Sequence, residues 1–550
     1  MTDAHAQRVL ARLEKLQSIG VAVSSETDTD RLLETILVGA KQLTNADAGT
    51  LYRLAEDGRL HFAIVRNDSL GIVLGGPGAM SIPFEPVPLR DQHGRTNRDN
   101  VAACAALDGV TYNIADAYQA RDFDFSGTRA FDARSGYISR SFLTVPLKNH
   151  DNDVVGVLQL INCIDPASGE VVAFSEADQR LVEALASQAA IALTKKALID
   201  NQKALFESFI KLIAKAIDEK NPHTSAHCER VPELTLMLAQ AVDQADWGPL
   251  QGVSFTPEEL YEIKIAAWLH DCGKVTTPEH IINKSTKLET ILDRIELVET
   301  RFEVVRRDLE LRLSQAGSGE VGNARAAEEY RARLAELDAD LEFLRRANIG
   351  GEFMSDDDVQ RIADIAERYR WTDARGNERS VLTADEVYNL QVRRGTITPE
   401  ERQIMNNHMD VTIAMLESLP YPKHLRRVPE IAGGHHERMD GKGFPRGLTR
   451  EQMSVPARIM GIADIFEALT ASERPYKKAM TLSQALNVLG RMRLDNHIDP
   501  DLFDVFVRER VYLRYAQRFL KPEQIDEVDL SRIPGYTPLP AEVGEALSSS

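Results

Sequence analysis

His270-Asp271-Cys272-Gly273-Lys274 closes the apolar run Ile265-Ala266-Ala267-Trp268-Leu269, and together they read as a buried helix that delivers a His-Asp pair to its end. Neighbouring helical side chains diverge by about 100°, so the pair serves one site only if that site lies across the divergence. A carboxylate has two oxygens and can span such a gap between two cations, whereas an imidazole gives one nitrogen to one ion. Nine of the 13 histidines fall between positions 221 and 500. His223 and His227 are four apart and share a face if the segment is helical. His408 follows a helical run opened by Thr398-Pro399-Glu400-Glu401. The adjacent His435 and His436 must diverge, which suits either two ions or one ligand beside a supporting group. Asp464 lies in a very apolar helix over 457–469, a costly place for a carboxylate without a cation or hydrogen-bond partner.

Composition bounds the rest. A chain of 550 residues implies three or four units at about 100 to 200 residues each. Its 43% hydrophobic share suits a globular protein. No apolar run reaches the roughly 18 residues of a membrane span, and Met1-Thr2-Asp3-Ala4-His5 is no basic-then-apolar leader, so a cytoplasmic protein without membrane insertion is expected. Its 4 cysteines show no CxxC spacing and fit reduced thiols. A net charge of -19 argues against a nucleic-acid polymer as partner. A nucleotide-sized substrate stays compatible if metal ions and local Lys or Arg offset that field.

Residues 1–25 read as an amphipathic helix, and 26–195 mix helix with strand-like runs at 49–54, 60–65, 141–147 and 154–162. Asn113 to Tyr118, Phe131 to Tyr137, Ser141 to Leu147, and Asn162-Cys163 through Phe174 to Asp178-Gln179 resemble a GAF domain, which implies an α/β (α+β) sensor fold with an unknown small-molecule ligand. Cys163 stands where that motif has Lys and Gln179 where it has Glu, which counts against a cyclic nucleotide as that ligand. Over 181–220 an apolar seam with alternating spacings of four and three (Leu181, Leu185, Gln188, Ala192, Lys195, Ile199, Gln202, Phe206, Phe209, Ile213, Ala216) predicts a coiled-coil linker helix and a homodimer.

Residues 221–515 resemble the HD-GYP family through His227-Cys228-Glu229-Arg230-Val231, His270 to Lys274, His408, His435 to Pro445, and Asp464 through Arg474-Pro475-Tyr476. The resemblance implies an all-α HD-superfamily domain that hydrolyses cyclic di-GMP to pGpG and onward to GMP at two or three divalent metal ions. By the same resemblance His227, His270, Asp271, His408, His435, His436 and Asp464 are ligands, with Asp271 the bridge, and His223 is an extra ligand for a third ion. Nitrogen and carboxylate donors without thiolates favour Fe or Mn over Zn. Asp271 and Lys274 are the expected catalytic groups. Lys274, Arg474 and Lys477 would hold phosphate, and the flexible Gly441 and Gly443 would let the loop approach the substrate closely. Phe444 replaces the family's Tyr, which removes a hydroxyl donor and keeps open a second reading, a catalytically weak cyclic-dinucleotide receptor acting through signalling partner proteins. Pro232 predicts a kink in the helix that follows His227.

The interval from His270 to His408 exceeds what such a domain needs, and an insertion over about 286–396 is expected. Leu288, Ile291, Ile295, Val298, Phe302, Val305 and Leu309 form one helical seam, and Tyr330, Leu334, Leu337, Leu341 and Leu344 another, so the insertion reads as an antiparallel helical hairpin turning through 317–322, followed by a short helix from Asp357 to Tyr369 and a return through Trp371 to Gly395. It would act as a lid or a partner-docking arm. Residues 516–550 read as a loop-like tail.

Overall fold

The computed structural model describes residues 3–26, 28–77, 79–219, 227–316, 323–351, 353–471 and 479–537. The chain divides into two units, Met1–Phe206 and Glu207–Ser550.

The first unit opens with α1 (Asp3–Ser25) and α2 (Thr29–Thr44). Asp28 caps α2 by accepting from the Arg31 amide, and Asn45 ends it in the left-handed region. The sheet comprises β1 (Ala46–Leu54), β2 (Arg59–Asn67), β3 (Ile72–Leu74), β4 (Val87–Pro88), β5 (Tyr112–Ile114), β6 (Phe142–Lys148), β7 (Val154–Ile164) and β8 (Val171–Val172). Its order is β3-β2-β1-β7-β6-β5, with β4 on β2 and β8 on β7, and every pairing is antiparallel. Alternation along β1 separates two cores: Leu51 packs with Ile36 and Leu37 of α2, whereas Tyr52 faces the alanines of α3 (Val101–Asp108). Helix α4 (Ser126–Ser135) ends at Gly136.

Residues of the GAF-like motif brace this unit. The Asn162 side chain accepts from the Arg140 amide at 2.7 Å and donates to the Ile138 carbonyl at 2.8 Å. Asp178 accepts from the Ser175 amide and hydroxyl at 2.9 and 2.7 Å and pairs with Arg12 of α1. Buried Cys163 donates its thiol to the Thr44 carbonyl at 3.2 Å.

Helix α5 (Glu176–Asp218) is continuous over 43 residues. Val182, Leu185, Ala186, Ala189 and Ala190 bury against the sheet, and Leu198, Ile199, Leu205, Phe209, Leu212 and Ile213 are exposed. Of the first half of the expected seam only Leu185 is buried, Ala192 is partly buried and Gln188 is exposed, so the face that packs on the sheet is offset from the seam.

The second unit begins with the last turns of α5, and α6 (His227–Gln244) runs unbroken through Pro232. Thr256 and Glu259 form a capping box at the start of α7 (Pro257–Leu269). A 3-10 turn, Cys272–Thr276, and α8 (Glu279–Ile282) follow. The insertion then adds α9 (Ile295–Ala316), α10 (Asn323–Ile349), α11 (Asp356–Arg368), a two-stranded antiparallel ribbon of β9 (Arg370–Thr372) and β10 (Glu378–Ser380), and α12 (Ala384–Leu390). After it come α13 (Pro399–Asn406), α14 (His408–Glu417), α15 (Val428–Gly433), α16 (Val455–Thr470), α17 (Leu482–Leu494), α18 (Pro500–Arg508) and α19 (Val511–Phe519). Phe466, Phe503, Phe506 and Tyr515 are fully buried at the centre of this unit's main core.

Three expectations change here. Helix α9 starts at Ile295, not near Leu288, and Ile291 is 98% exposed. The Ser285 and Thr286 amides donate to the Glu289 carboxylate and the Thr286 hydroxyl to Asp293, so polar side chains capture the backbone that a helix would have used. The expected hairpin and the short helix after it, here α11, are not a bare arm, because Phe302, Leu337, Leu344, Ile362, Ile365, Val381 and Leu390 share a separate core. Its turn at 317–322 lies outside the described residues. It also begins and ends at one point: the Thr396 hydroxyl donates to the Lys284 carbonyl at 3.1 Å, and the buried Lys284 ammonium donates to both Glu401 oxygens at 2.8 Å. Finally, the tail packs. Ile533 and Tyr536 join the main core, and the Gln524 amide donates to the Thr470 carbonyl at 2.8 Å, because apolar residues between its prolines find core surface.

Candidate metal centre

Each donor reaches the centre from an element end or a buried helix. His270 caps α7, Asp271 follows it, His227 and His408 open α6 and α14, His435 and His436 follow α15, and Asp464 projects from α16. Three imidazoles are oriented alike: Nδ1 of His270, His408 and His435 lies 2.7, 2.5 and 2.6 Å from the carbonyl three residues earlier, respectively Ala267, Met405 and Ala432. A carbonyl only accepts, so each Nδ1 carries a proton, and Nε2 is the nitrogen whose lone pair is left for a cation once any second proton has gone.

Those lone pairs converge. Ligand atoms of His227, His270, Asp271 and Asp464 lie within 4.8 Å of one another, and so do those of Asp271, His408, His435 and His436. Asp271 belongs to both groups. Its Oδ2 stands 3.1 Å from His270 Nε2 and 3.5 Å from His227 Nε2, while Oδ1 stands 3.3 Å from His408 Nε2 and 4.0 Å from His435 Nε2. Asp464 Oδ1 lies 3.2 Å from His227 Nε2. Nε2 of His270, His408 and His435 and Oδ1 of Asp271 are buried without a hydrogen-bond partner. Burying such atoms is costly, and a cation shared among them removes the cost. The donor set therefore fits one ion in each group, with Asp271 reaching both.

Electrostatics sort the histidines into two kinds. Burial opposes charge on His227 and His270, but the carboxylates of Glu467, Asp271 and Asp464 outweigh it, holding His227 well above the ordinary imidazole value and His270 at about 9. Burial, with neighbouring histidines, drives His435 well below that value, and burial lowers His436 to about 4. Burial opposes the charge of Asp271 too, yet Lys274 and the histidines hold its carboxyl well below the usual range.

Two residues given no role in the sequence reading complete the site. Glu467 is 1% exposed, accepts from Arg230 Nε at 2.7 Å, and lies 2.5 Å from His227 Nδ1, so it fixes which imidazole nitrogen faces Asp464. Its signal was present: Glu467 sits three residues after Asp464 on one helical face, and Arg230 three after His227. Such a carboxylate orients an imidazole and raises its basicity. Glu467→Gln is expected to weaken binding of one metal equivalent by about 10- to 100-fold, measured by competition with a chromophoric chelator.

The remaining expected residues fare unequally. Lys274 Nζ lies 2.5 Å from Asp271 Oδ2, so the lysine charge is already engaged by the central carboxylate. Phe444 stacks on His436 with ring centroids 4.8 Å apart and 23° between planes. Gly441 takes a left-handed φ of 74°. At Gly443 a Cβ would fall 2.4 Å from Glu437 Cα and from the Arg438 amide nitrogen, so the loop's own packing requires a glycine there. Buried Glu437 ties the same loop by accepting from the Arg446 and Leu448 amides at 2.7 and 2.9 Å. His223, Arg474 and Lys477 lie outside the described residues.

Comparison with known proteins agrees with this division. Residues 28–193 match the GAF domain model, and residues 381–502 match an HD domain model. The second match starts in the insertion and so covers His408, His435, His436 and Asp464 but not His227, His270 or Asp271. Among curated proteins, the chain is 46% identical over 81 residues to 3'3'-cGAMP-specific phosphodiesterase 1 of Vibrio cholerae, covering 15% of this chain and 19% of that one. It is 33% identical over 146 residues to a probable cyclic di-GMP phosphodiesterase of the same organism, covering 24% and 32%. It is 36% identical over 125 residues to the cyclic di-GMP phosphodiesterase response regulator RpfG of Xanthomonas campestris pv. campestris, covering 23% and 32%. The chain thus spans less than a third of the length of these relatives.

Proposed function

We propose that this chain, which carries a GAF domain and an HD domain, is a metal-dependent phosphodiesterase that opens cyclic di-GMP to pGpG and onward to GMP under control of the GAF domain. The observation that carries the reading is Asp271, one carboxylate whose two oxygens face two separate sets of imidazoles. His227, His270 and Asp464 would hold one ion with Asp271, and His408, His435 and His436 a second. Fe or Mn suits these nitrogen and oxygen donors. Bound there, the ions supply Lewis acidity and a water acidic enough to attack phosphorus at neutral pH.

The chain's own residues do the rest. Carbonyls of Ala267, Met405 and Ala432 hold three imidazoles in the ligating tautomer, and Glu467 does so for His227. Lys274, placed against Asp271, would exchange that carboxylate for a substrate phosphoryl oxygen, assisted by Arg474 and Lys477. Phe444 offers a base an aromatic face without a hydroxyl. Helix α5 would pair with a second copy through the exposed apolar residues between Leu198 and Ile213. No described helix is long and apolar enough to cross a membrane.

Protein loaded with Mn(II) or Fe(II) is expected to convert cyclic di-GMP to linear products separable by chromatography. Binding without turnover would instead favour a receptor. Mixed cyclic GMP-AMP belongs in the same assay, since one relative is named for it.

Proton release offers an independent check. In the metal-free protein His227 and His270 titrate above neutrality, so both carry protons at pH 7 that an ion must displace. His435 and His436 titrate below neutrality and release none. Affinity for the equivalent held with His227 and His270 should therefore rise with pH through neutrality towards about 9. Titration calorimetry at pH 7 in two buffers of different ionisation enthalpy should show about two protons leaving with the first kind of ion.

A further inference from the structure

Asp218 is the last residue of α5 and is 4% exposed. A carboxylate at that position faces the negative end of the helix macrodipole, so local helix energetics disfavour it. Both its oxygens are nevertheless used. Oδ2 accepts from the Cys228 amide at 3.2 Å and Oδ1 from the Cys228 thiol at 3.1 Å. That amide lies in the first described turn of α6. It also belongs to the peptide unit that joins Cys228 to His227. The end of α5 thus grips the backbone of a candidate ligand.

The same turns of α5 touch the other helix of that donor group. Ile210 is buried in the main core and Ile217 packs against it, Lys211 Nζ lies 4.6 Å from the Trp268 ring centroid, and Glu207 pairs with Lys264 at 3.8 Å. Trp268 and Lys264 are in α7, which ends at His270 and Asp271. One stretch, 207–218, therefore contacts α6 and α7, the two elements that present His227, His270 and Asp271.

We propose that Asp218 is a positioning residue for His227, and that through it the C-terminal turn of α5 sets whether the group of His227, His270, Asp271 and Asp464 holds its ion. The proposal rests on the metal-centre reading above. Displacing α5 along or about its axis withdraws Asp218 from Cys228 and releases the start of α6. The group built on His408, His435 and His436 has no member on α6 and keeps its ion. Occupancy of one ion then reports the state of the helix that leaves the N-terminal unit.

The test compares full-length wild type, Asp218→Ala, Asp218→Asn, and the double variant Asp218→Asn/Cys228→Ala, each stripped with chelator and reloaded with Mn(II). Metal per chain is counted by mass spectrometry, affinity is read by competition, and folding is followed by circular dichroism. Wild type should hold about two ions, the number that the two donor groups fit. Asp218→Ala should hold one tightly and bind the other at least about tenfold more weakly. Asp218→Asn keeps an oxygen for the Cys228 amide and should stay within about threefold of wild type, a change near the worth of one net hydrogen bond. The double variant also removes the thiol contact but leaves the residue-228 amide its oxygen acceptor, so it serves as a milder probe if the alanine variant does not fold, and should weaken the same ion beyond the single Asn variant. A merely structural role would lower the melting temperature without separating the two ions. Unchanged binding of both ions in Asp218→Ala and the double variant, or equal loss of both, overturns the proposal. Wild type that binds no divalent ion overturns the metal-centre reading, and this inference with it.

Discussion

Asp271→Ala is expected to abolish hydrolysis, lowering it by at least about a thousandfold, the scale of losing a preorganised charge stabiliser. The reason is the shared position. Every other donor serves one group, so its loss removes one contact from one ion, whereas Asp271 faces His227 and His270 through one oxygen and His408 and His435 through the other. Asp271→Asn sharpens the test, because an amide keeps the shape but has a single oxygen to give. It should retain one metal equivalent and lose the other, where alanine loses both. The alanine variant also strands Lys274 beside two histidines whose charge depended on Asp271, so the metal-free protein should lose about 3 kcal/mol of stability. Metal counting, turnover and chemical denaturation on the same preparations check all three. Full turnover in Asp271→Ala would remove the proposed function.

Gly273→Ala should do comparable damage through packing alone. A Cβ there would fall 2.0 Å from the His408 carbonyl oxygen, 2.6 Å from the Thr412 amide nitrogen and 2.7 Å from the Thr412 hydroxyl. Two of these are backbone atoms of α14 and cannot rotate away, so the turn after Asp271 and the start of α14 must separate. That also strains the bond from the Gly273 amide to the Thr412 hydroxyl at 2.9 Å. Overpacking of this kind costs about 3 kcal/mol or more, a fall in melting temperature of roughly 4 °C or more for a unit of this size. Because the displaced carbonyl belongs to His408, the group that includes it should bind its ion more weakly even where the protein stays folded. Gly441→Ala is the contrast: it is strained by a φ of 74° but meets nothing closer than 3.4 Å, and should cost about 1 kcal/mol.

How far the sequence could be read follows from what each residue needs in order to be seen. His270 and Asp271 were visible because an apolar run must end somewhere, and a polar pair at its end invites a reason. Asp464 was visible because its helix is otherwise apolar. Glu467 lies on that helix too, but an acid three residues after an acid looks like an ordinary polar face until Arg230 and His227 are brought to it from elsewhere in the chain. The start of α9 was misread because Leu288 and Ile291 fit the helical spacing, while the polar groups of Ser285, Thr286, Glu289 and Asp293 decided the local backbone. Gly443 reads as freedom to move. That the backbone of Glu437 and Arg438 also requires a glycine there appears only when the loop is folded. The strands β1, β2, β6 and β7 were legible as alternating or continuous apolar runs, but β5 and β8, at three and two residues, carry too little pattern to register.

The junction of Lys284, Thr396 and Glu401 has a bearing on biosynthesis. A ribosome delivers the first half of the candidate centre, then more than a hundred further residues, before His408 emerges. Because those intervening residues carry their own apolar nucleus and return to their point of departure, they can fold as a self-contained module while the rest waits. The later helices then meet a neck as narrow as a tight turn, and the entropic toll of the long excursion has already been met within the module. Selection can lengthen, trim or replace such a module without disturbing the machinery on either side of the neck.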